Sequence, residues 1–161
     1  MNVELNKQAR LSQHFTLGEL CKTSVKTADG NIPSRVNIEN LKRVCSWLER
    51  LRQRYNLNIK DKIKNKNEEP IVINSGYRSP QVNKAVGGAA NSNHLTGCAV
   101  DIRVAGMEQL LRYAVILLDI ADEGREEFDE LLMERNAKGT YWLHFAVRPE
   151  GNRRKIVFLR V

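Results

Sequence analysis

Two of the three histidines in this 161-residue chain lie in segments that suit metal binding. His94 precedes Asp101 in the segment SNHLTGCAVD, and His144 lies in the segment YWLHFAV. Two imidazoles and one carboxylate are ligands that zinc accepts, and they leave the fourth position open for water, as hydrolytic zinc sites require. The residue types therefore suggest a metal site formed by His94, Asp101 and His144.

The path of the chain decides whether His94 and Asp101 can reach one ion. A straight strand would separate them by roughly 23 Å and a helix by about 10 Å, whereas each ligand atom must lie about 2.0–2.2 Å from a zinc ion. The chain must therefore fold back between them, and Thr96-Gly97 is where glycine allows a reversal. The alternative is that these residues are ordinary: a strand histidine is usually a core or surface residue, and an isolated aspartate usually caps a turn.

Arg78 is a second chemical signal, since it lies in the glycine-bearing turn SGYRS at residues 75–79. A planar guanidinium that is aimed by a rigid turn can clamp a carboxylate or a developing oxyanion. The alternative is a surface arginine that caps a helix or pairs with an acid.

Hydrophobic periodicity predicts the helices that must position these residues. Apolar residues at three- and four-residue steps predict helices over residues 37–55 and 107–121. The residues of the second helix that are expected to face inward are Leu110, Leu111, Ala114, Val115 and Leu118. Thr16 and Glu19 predict a capping box that begins a short helix, and Ser79 followed by Pro80 predicts a helix over residues 80–86.

Strands are predicted in the second half of the chain, over residues 71–74, 99–104, 128–134, 141–147 and 156–161. The third and fourth are expected to pair around a polar turn that holds Gly139, and residues 56–70 and 87–93 are expected to be loops. Helices followed by a strand-rich half predict an α+β fold, with an antiparallel sheet flanked by helices. The length suits one domain over residues 15–161, preceded by a polar lead-in at residues 1–14.

Composition narrows the function classes. The net charge of +7 favours anionic partners such as nucleic acid, membrane surfaces or an acidic polymer. The basic runs at residues 60–66 and 153–155 do not alternate with aromatic residues, so we expect no nucleic-acid site.

No apolar run approaches the ~18 residues that span a bilayer, so no membrane insertion is expected. The N-terminus shows no signal peptide, which predicts synthesis in the cytoplasm. Three cysteines without CxxC spacing predict neither disulfides nor a cysteine zinc site.

Taken together, the motifs resemble a known family. They are SGYRSP at residues 75–80, Asn83, VGG at residues 86–88, SxHxxGxAxD at residues 92–101 and WxH at residues 142–144. This set resembles the zinc D-Ala-D-Ala carboxypeptidases of peptidase family M15, whose relatives include phage L-alanyl-D-glutamate endolysins and D-Ala-D-Ala dipeptidases. The resemblance extends from about residue 15 to residue 147, and it implies the α+β fold shared with the hedgehog signalling domain.

The resemblance also implies a site and a chemistry. It implies that His94, Asp101 and His144 bind one zinc ion and that Arg78 steadies the scissile carbonyl as negative charge builds on it. A zinc-activated water would attack the amide with help from a carboxylate acting as general base. The implied substrate is the peptide stem of peptidoglycan, so the site of action would be the bacterial cell wall or periplasm. Carboxypeptidase and endopeptidase cleavage are not distinguished, and no oligomeric state is predicted.

One position departs from the family pattern. Many relatives have the catalytic glutamate three residues before the last histidine, where this chain has Tyr141. Glu134 on the neighbouring strand is the first candidate for the general base, Asp129 the second and Glu130 the third. The alternative for Glu134 is a solvated charge at a strand end. If no carboxylate reaches the water, a non-catalytic zinc-stabilised module that binds cell wall or a protein partner becomes the better interpretation.

Three further residues are predicted to bind substrate by shaping the pocket, namely Tyr77, Ser92 and Trp142. Core packing is an equal alternative for Tyr77 and Trp142. A third function class, a basic nucleic-acid-binding protein, would predict DNA retention that is sensitive to salt and survives the change His94→Ala.

Overall fold

The computed structural model describes residues 4–62 and 67–161. Its helices are α1 (Leu17–Leu20), α2 (Arg35–Lys62), α3 (Pro80–Ala85), a 3-10 helix (Asn93–Thr96) and α4 (Met107–Gly124). Its strands are β1 (Ile73–Ser75), β2 (Ala99–Arg103), β3 (Glu130–Arg135), β4 (Tyr141–Ala146) and β5 (Lys155–Arg160). The predicted α+β class is confirmed, and the capping box is present, with Thr16 and Glu19 each accepting from the other's backbone N–H at the start of α1.

The five strands form one sheet in the order β1-β2-β4-β3-β5. The β1–β2, β2–β4 and β4–β3 pairs are antiparallel, as predicted. The β3–β5 pair is parallel, so the sheet is mostly rather than entirely antiparallel. The reason is the position of β5: it runs back against the direction of β4 but lies on the far side of β3.

One face of the sheet forms the core. Side chains of β2, β3 and β4 that alternate onto this face, such as Ile102, Leu131 and Phe145, are fully buried in one cluster with the apolar sides of α2 and α4. Because side chains alternate across a strand, the residues between them point to the opposite face. That opposite face carries Asp101 and His144.

Two helix predictions needed correction. Helix α2 continues to Lys62 rather than ending at residue 55, so the first part of the predicted loop at residues 56–70 is helical. Residues 63–66 of that predicted loop lie outside the described part of the chain. The polar residue Asn56 follows the predicted end of the helix and interrupts its apolar periodicity. It is buried, with its side chain donating to the Arg52 and Glu69 carbonyls, so a polar residue here packs inward.

In α4, Leu111 and Val115 are exposed rather than inward, at 44% and 54% of their surface. The other three residues predicted to face inward do so: Leu110 and Ala114 are buried, and Leu118 packs against the core. Apolar residues occur around most of this helix, so periodicity alone did not separate Leu111 and Val115 from the buried face, which also includes Tyr113 and Leu117.

The described part of the predicted lead-in, residues 4–14, lies against the domain. Leu5, Ala9 and Leu11 pack on the core, and the His14 ring and backbone N–H both contact the Glu49 carboxylate. Among the helices of the described residues, none has the length and apolarity needed to cross a membrane.

Candidate metal centre

The three predicted ligand residues converge on the face of the sheet opposite the core. One donor atom from each of His94, Asp101 and His144 lies within 4.8 Å of the other two. Asp101 Oδ1 is at the middle of the group, 3.3 Å from His94 Nε2 and 3.0 Å from His144 Nδ1. This spacing is what three ligands of a single ion require.

The predicted chain reversal brings His94 to Asp101. Residues Asn93–Thr96 form a 3-10 helix, which Ser92 begins by accepting a hydrogen bond from the His94 N–H. Gly97 ends it in the left-handed region, with φ of 73°. A Cβ at this position would also lie 2.6 Å from the Asn37 carbonyl oxygen. Any other residue would therefore be strained at position 97 and would push against α2.

Strand register brings His144 to Asp101. In the antiparallel β2–β4 pair these two residues are direct partners, and directly opposed residues in such a pair share a face. The same face carries Trp142, two residues before His144. Both histidines are at least nine-tenths buried, so the sheet and the 3-10 helix hold the rings in fixed orientations.

The remaining polar atoms of the ligands are also engaged. His94 Nδ1 lies 2.7 Å from the Gly76 carbonyl oxygen, an acceptor that can take only an N–H. Arg78 Nη2 donates to Asp101 Oδ2 at 2.9 Å, and its Nε donates to Ser75 Oγ. Arg78 thus makes the pairing with an acid that the sequence left open, and this acid is a predicted metal ligand.

Gly76 lets the SGYRS turn lie close to the backbone of α1, because glycine has no side chain. A Cβ on Gly76 would lie 2.2 Å from the Leu20 carbonyl oxygen, which accepts the Tyr77 N–H. The Arg78 N–H in turn donates to the His94 carbonyl. One backbone hydrogen bond and the contact of His94 Nδ1 with the Gly76 carbonyl therefore join the SGYRS turn to the His94 segment.

Neighbouring groups shift the pKa values of Asp101 and His144, and each shift favours the charged form. Burial alone would raise the pKa of Asp101, but the charge of His94 and the hydrogen bond from His144 outweigh it and lower that pKa. Burial alone would lower the pKa of His144, but its hydrogen bonds to Asp101 and Glu130 raise it to about 9. In the protein without a metal, a proton thus competes for the position that a cation would take.

Glu130 contacts the outer side of this group. Its Oε2 lies 2.9 Å from His144 Nε2 and accepts from Asn93 Nδ2 at 3.0 Å, while Oε1 accepts from Arg153 Nη2. The hydrogen bond with His144 is the largest reason why its pKa falls to about 2. Neither Asn93 nor Arg153 was assigned a role from the sequence: Asn93 fills an unspecified position of the SxHxxGxAxD motif, and Arg153 lies outside every motif in the chain.

Glu134 lies on the same face, further along β3. It pairs with Trp142 in the β3–β4 ladder, one residue from the position beside Tyr141 that the sequence suggested. The Trp142 indole N–H donates to its carboxylate. Burial raises the pKa of Glu134, while the charge of His144 acts in the opposite direction. Glu134 is therefore half-buried rather than the solvated strand-end charge that was its alternative.

Asp129, the second candidate for the general base, lies among donors that occupy its carboxylate. Its side chain is fully buried, and its two oxygens accept from Arg153, Asn93 and the Arg153 backbone N–H. Arg148 Nε lies 3.1 Å from the same carboxylate. These partners lower its pKa against the effect of burial. A carboxylate whose oxygens are all occupied is placed to hold the chain together rather than to take a proton from water.

The residues predicted to bind substrate occupy different settings. Tyr77 is 6% exposed within the hydrophobic core, which favours its packing alternative. Ser92 caps the helix that carries His94, and Trp142 is half-buried beside Glu134. Their contact with a substrate stays a prediction.

The fold and the donor set define a class of protein: a small α+β domain with a three-residue candidate metal centre on the open face of its sheet. The chain belongs to the Peptidase M15 family, whose sequence profile matches residues 13–130. The matched region contains Arg78, His94 and Asp101, whereas Glu134 and His144 lie beyond it. The β2–β4 pairing brings His144 to Asp101, and Glu134 lies on the same face of the sheet. No curated protein matches the chain at a significant level. The family membership identifies it as a peptidase.

Proposed function

We propose that this peptidase holds one zinc ion between His94, Asp101 and His144 and hydrolyses peptide bonds in the stem peptide of peptidoglycan. The proposed reaction is of the D-Ala-D-Ala carboxypeptidase or endopeptidase type. The observation that carries the proposal is the convergence of three donor atoms of the correct kinds within 4.8 Å.

The donor set fits zinc in its chemistry as well as its spacing. Each histidine has one nitrogen facing the group and the other facing an acceptor, Gly76 for His94 and Glu130 for His144. Asp101 likewise has one oxygen facing the histidines and the other held by Arg78. Such outer contacts orient the ligands of zinc sites. When bound, the ion supplies Lewis-acid chemistry, since it polarises a carbonyl and makes a water molecule more acidic.

Glu134 is the residue that we propose as general base. It lies on the face of the sheet that carries His144, close enough for that ring's charge to act on its pKa. Burial raises its pKa toward the range in which a base is most effective at neutral pH. Trp142 holds the carboxylate in place through its indole N–H. In this role Glu134 accepts a proton from the attacking water and later gives it to the leaving amine.

Arg78 has two proposed tasks. It fixes the orientation of Asp101. Its side chain is 18% exposed, and its guanidinium keeps N–H donors beyond those directed at Ser75 and Asp101. We propose that these donors stabilise the carbonyl oxygen of the scissile bond as it becomes negatively charged.

The substrate class follows from the family and is supported by charge. A net charge of +7 favours an anionic polymer such as the cell wall. We therefore propose the bacterial cell wall or periplasm as the site of action. The predicted partners are peptidoglycan stem peptides.

A second function is favoured by one observation. Tyr141 occupies the position at which many relatives have the catalytic glutamate, so a zinc-stabilised module that binds cell wall without cleaving it is the alternative. This alternative predicts that changing Glu134 to glutamine leaves both peptidoglycan binding and zinc content unchanged.

The test is hydrolysis of purified muropeptides by the metal-replete protein, with the products identified by mass spectrometry. We expect cleavage that stops when a chelator removes the metal and returns when zinc is added back. The position of the cut separates carboxypeptidase from endopeptidase activity. Zinc-replete protein that binds peptidoglycan but yields no product would contradict the peptidase proposal and favour the binding module.

A further inference from the structure

The two ring nitrogens of His144 face different partners. Nδ1 points to Asp101 Oδ1 at 3.0 Å, which is also the oxygen nearest to His94. Nε2 points the other way, to Glu130 Oε2 at 2.9 Å. Only the nitrogen that faces the other two ligands can share an ion with them. Nδ1 is therefore the donor that His144 offers, and Nε2 is left for Glu130.

The Glu130 carboxylate is itself held from two directions. Asn93 donates to Oε2 from the start of the 3-10 helix that contains His94, and Arg153 donates to Oε1 from the segment before β5. Its side chain is only 14% exposed. A freely rotating surface glutamate would lose side-chain entropy on contacting His144. Asn93 and Arg153 already restrict the Glu130 carboxylate, so its contact with His144 costs less entropy.

We propose that Glu130 is a positioning residue that accepts the Nε2–H of His144 and so fixes the tautomer in which Nδ1 carries the lone pair. Neutral imidazole exchanges its proton between the two nitrogens, and the partner of one nitrogen decides which form dominates. Asn93 and Arg153 keep the acceptor in place. Glu130 takes no proton from water in this role, which distinguishes it from a general base.

His94 is held in the equivalent way by a backbone carbonyl, that of Gly76, which cannot be removed by substitution. Between the two histidines, His144 is therefore the one whose orientation depends on a side chain. The inference rests on the proposed metal site but not on hydrolysis, so metal affinity tests it independently of activity.

The first experiment measures the zinc dissociation constant by competition with a chromogenic chelator for wild type, Glu130→Ala and Glu130→Gln. Loss of such an outer partner weakens metal binding by about 10- to 100-fold, which is the result expected for the alanine variant. The glutamine variant should stay within a few-fold of wild type, because its amide oxygen can still accept the Nε2–H. Glu127→Ala, at an exposed residue in the loop before β3, is the matched control and should equal wild type.

The second experiment uses nitrogen-15 NMR on the zinc-loaded protein. We expect His144 to carry its proton on Nε2 in wild type and in Glu130→Gln. The proton should resonate further downfield in wild type, because a carboxylate accepts a stronger hydrogen bond than an amide. This readout keeps the inference testable if Glu130→Ala does not fold.

The outcomes separate the two proposals. Equal zinc affinity of Glu130→Ala and wild type, or zinc on Nε2 of His144, would overturn the positioning role alone. A Glu130→Gln variant that keeps its zinc but loses hydrolysis would make Glu130 a base instead. Tight zinc binding without any peptide cleavage would overturn the proposed function and leave the role of Glu130 standing.

Discussion

Glu134 and Trp142 lie directly opposite each other across the β3–β4 hairpin, and the indole N–H of Trp142 donates to the Glu134 carboxylate. Strand alternation places both side chains on the face where His144 lies two residues further along β4, and the hydrogen bond fixes the position of the carboxylate there. A tryptophan in this motif is therefore more than a packing residue. In the proposed mechanism it holds in place a base that has moved from the usual position, now Tyr141, to the neighbouring strand.

Changing Glu134 to glutamine is expected to lower kcat on stem peptides by about 10²- to 10⁴-fold, which is the usual contribution of a positioned base. Zinc content should not change, because Glu134 is not among the three converging donors. Steady-state kinetics and metal analysis of the same sample measure both. Glu127→Gln is the matched control, since it makes the same chemical change at an exposed site. Full activity in the Glu134 variant would exclude it as the base.

The pH dependence of the reaction should report the same residue. Burial raises the pKa of Glu134, and a base acts only when ionised, so kcat/KM should fall on the acid side with a midpoint above the ordinary value of about 4.3. In Glu134→Gln the residual activity should lack this limb. Zinc content must be measured at each pH, because protonation of the histidines releases metal. An acid midpoint below the ordinary glutamate value in a zinc-replete sample would contradict the assignment.

Zinc should stabilise the folded protein. At a free zinc concentration about 1,000-fold above the dissociation constant, the gain is about 4 kcal/mol, or a rise in Tm of about 8–16 °C for a chain of this size. Thermal melts of chelator-treated protein with and without added zinc measure it. His94→Ala should lose most of the rise, whereas His14→Ala should keep it, because the His14 ring contacts Glu49. An unchanged Tm in wild type would argue against the metal centre.

Asp129 is expected to act on stability rather than on catalysis. Asp129→Asn leaves Arg148 and Arg153 without their shared carboxylate; since both arginines are partly exposed and can turn to water, the expected cost is that of the lost charged hydrogen bonds, about 1–3 kcal/mol. Urea unfolding at pH 7 measures the difference from wild type. Because the folded pKa of Asp129 is lowered, its contribution is complete above the unfolded value of about 3.9 and is lost as the pH falls below it toward the folded value.

The difference between wild type and Asp129→Asn should therefore shrink in acid. A variant as stable as wild type at pH 7, with hydrolysis reduced by several orders of magnitude, would instead restore Asp129 as a candidate base.

Arg78→Lys should be costly despite keeping the charge. Lysine is a point charge and cannot reproduce the planar pair of contacts to Ser75 and Asp101. We expect kcat to fall by about 10²- to 10³-fold, the usual loss for one donor to a developing oxyanion. Zinc affinity should fall by a smaller factor than kcat, because Asp101 Oδ1, which faces the histidines, is not the oxygen that Arg78 contacts. A change confined to KM would indicate that Arg78 binds substrate without acting on the transition state.

The sequence by itself predicted much of the site. The kinds of ligand, the reversal at Thr96-Gly97 and the hairpin carrying His144 follow from local chemistry, because a glycine, a turn and an alternating strand act over a few residues. The α+β class follows for the same reason, from the periods of neighbouring segments. Helix ends were less predictable: α2 extends past residue 55, where the polar Asn56 is buried and donates to the backbone carbonyls of Arg52 and Glu69.

Only the tertiary structure separated the three acidic residues of the β3 region. Asp129, Glu130 and Glu134 are all acids near one strand, so composition and spacing leave them as interchangeable candidates. Their partners differ: Arg153 and Arg148 hold Asp129, His144 contacts Glu130, and Trp142 contacts Glu134. These contacts depend on strand register and on the path of the segment before β5. A carboxylate's role is set by the groups that surround it, and the fold brings those groups from distant parts of the chain.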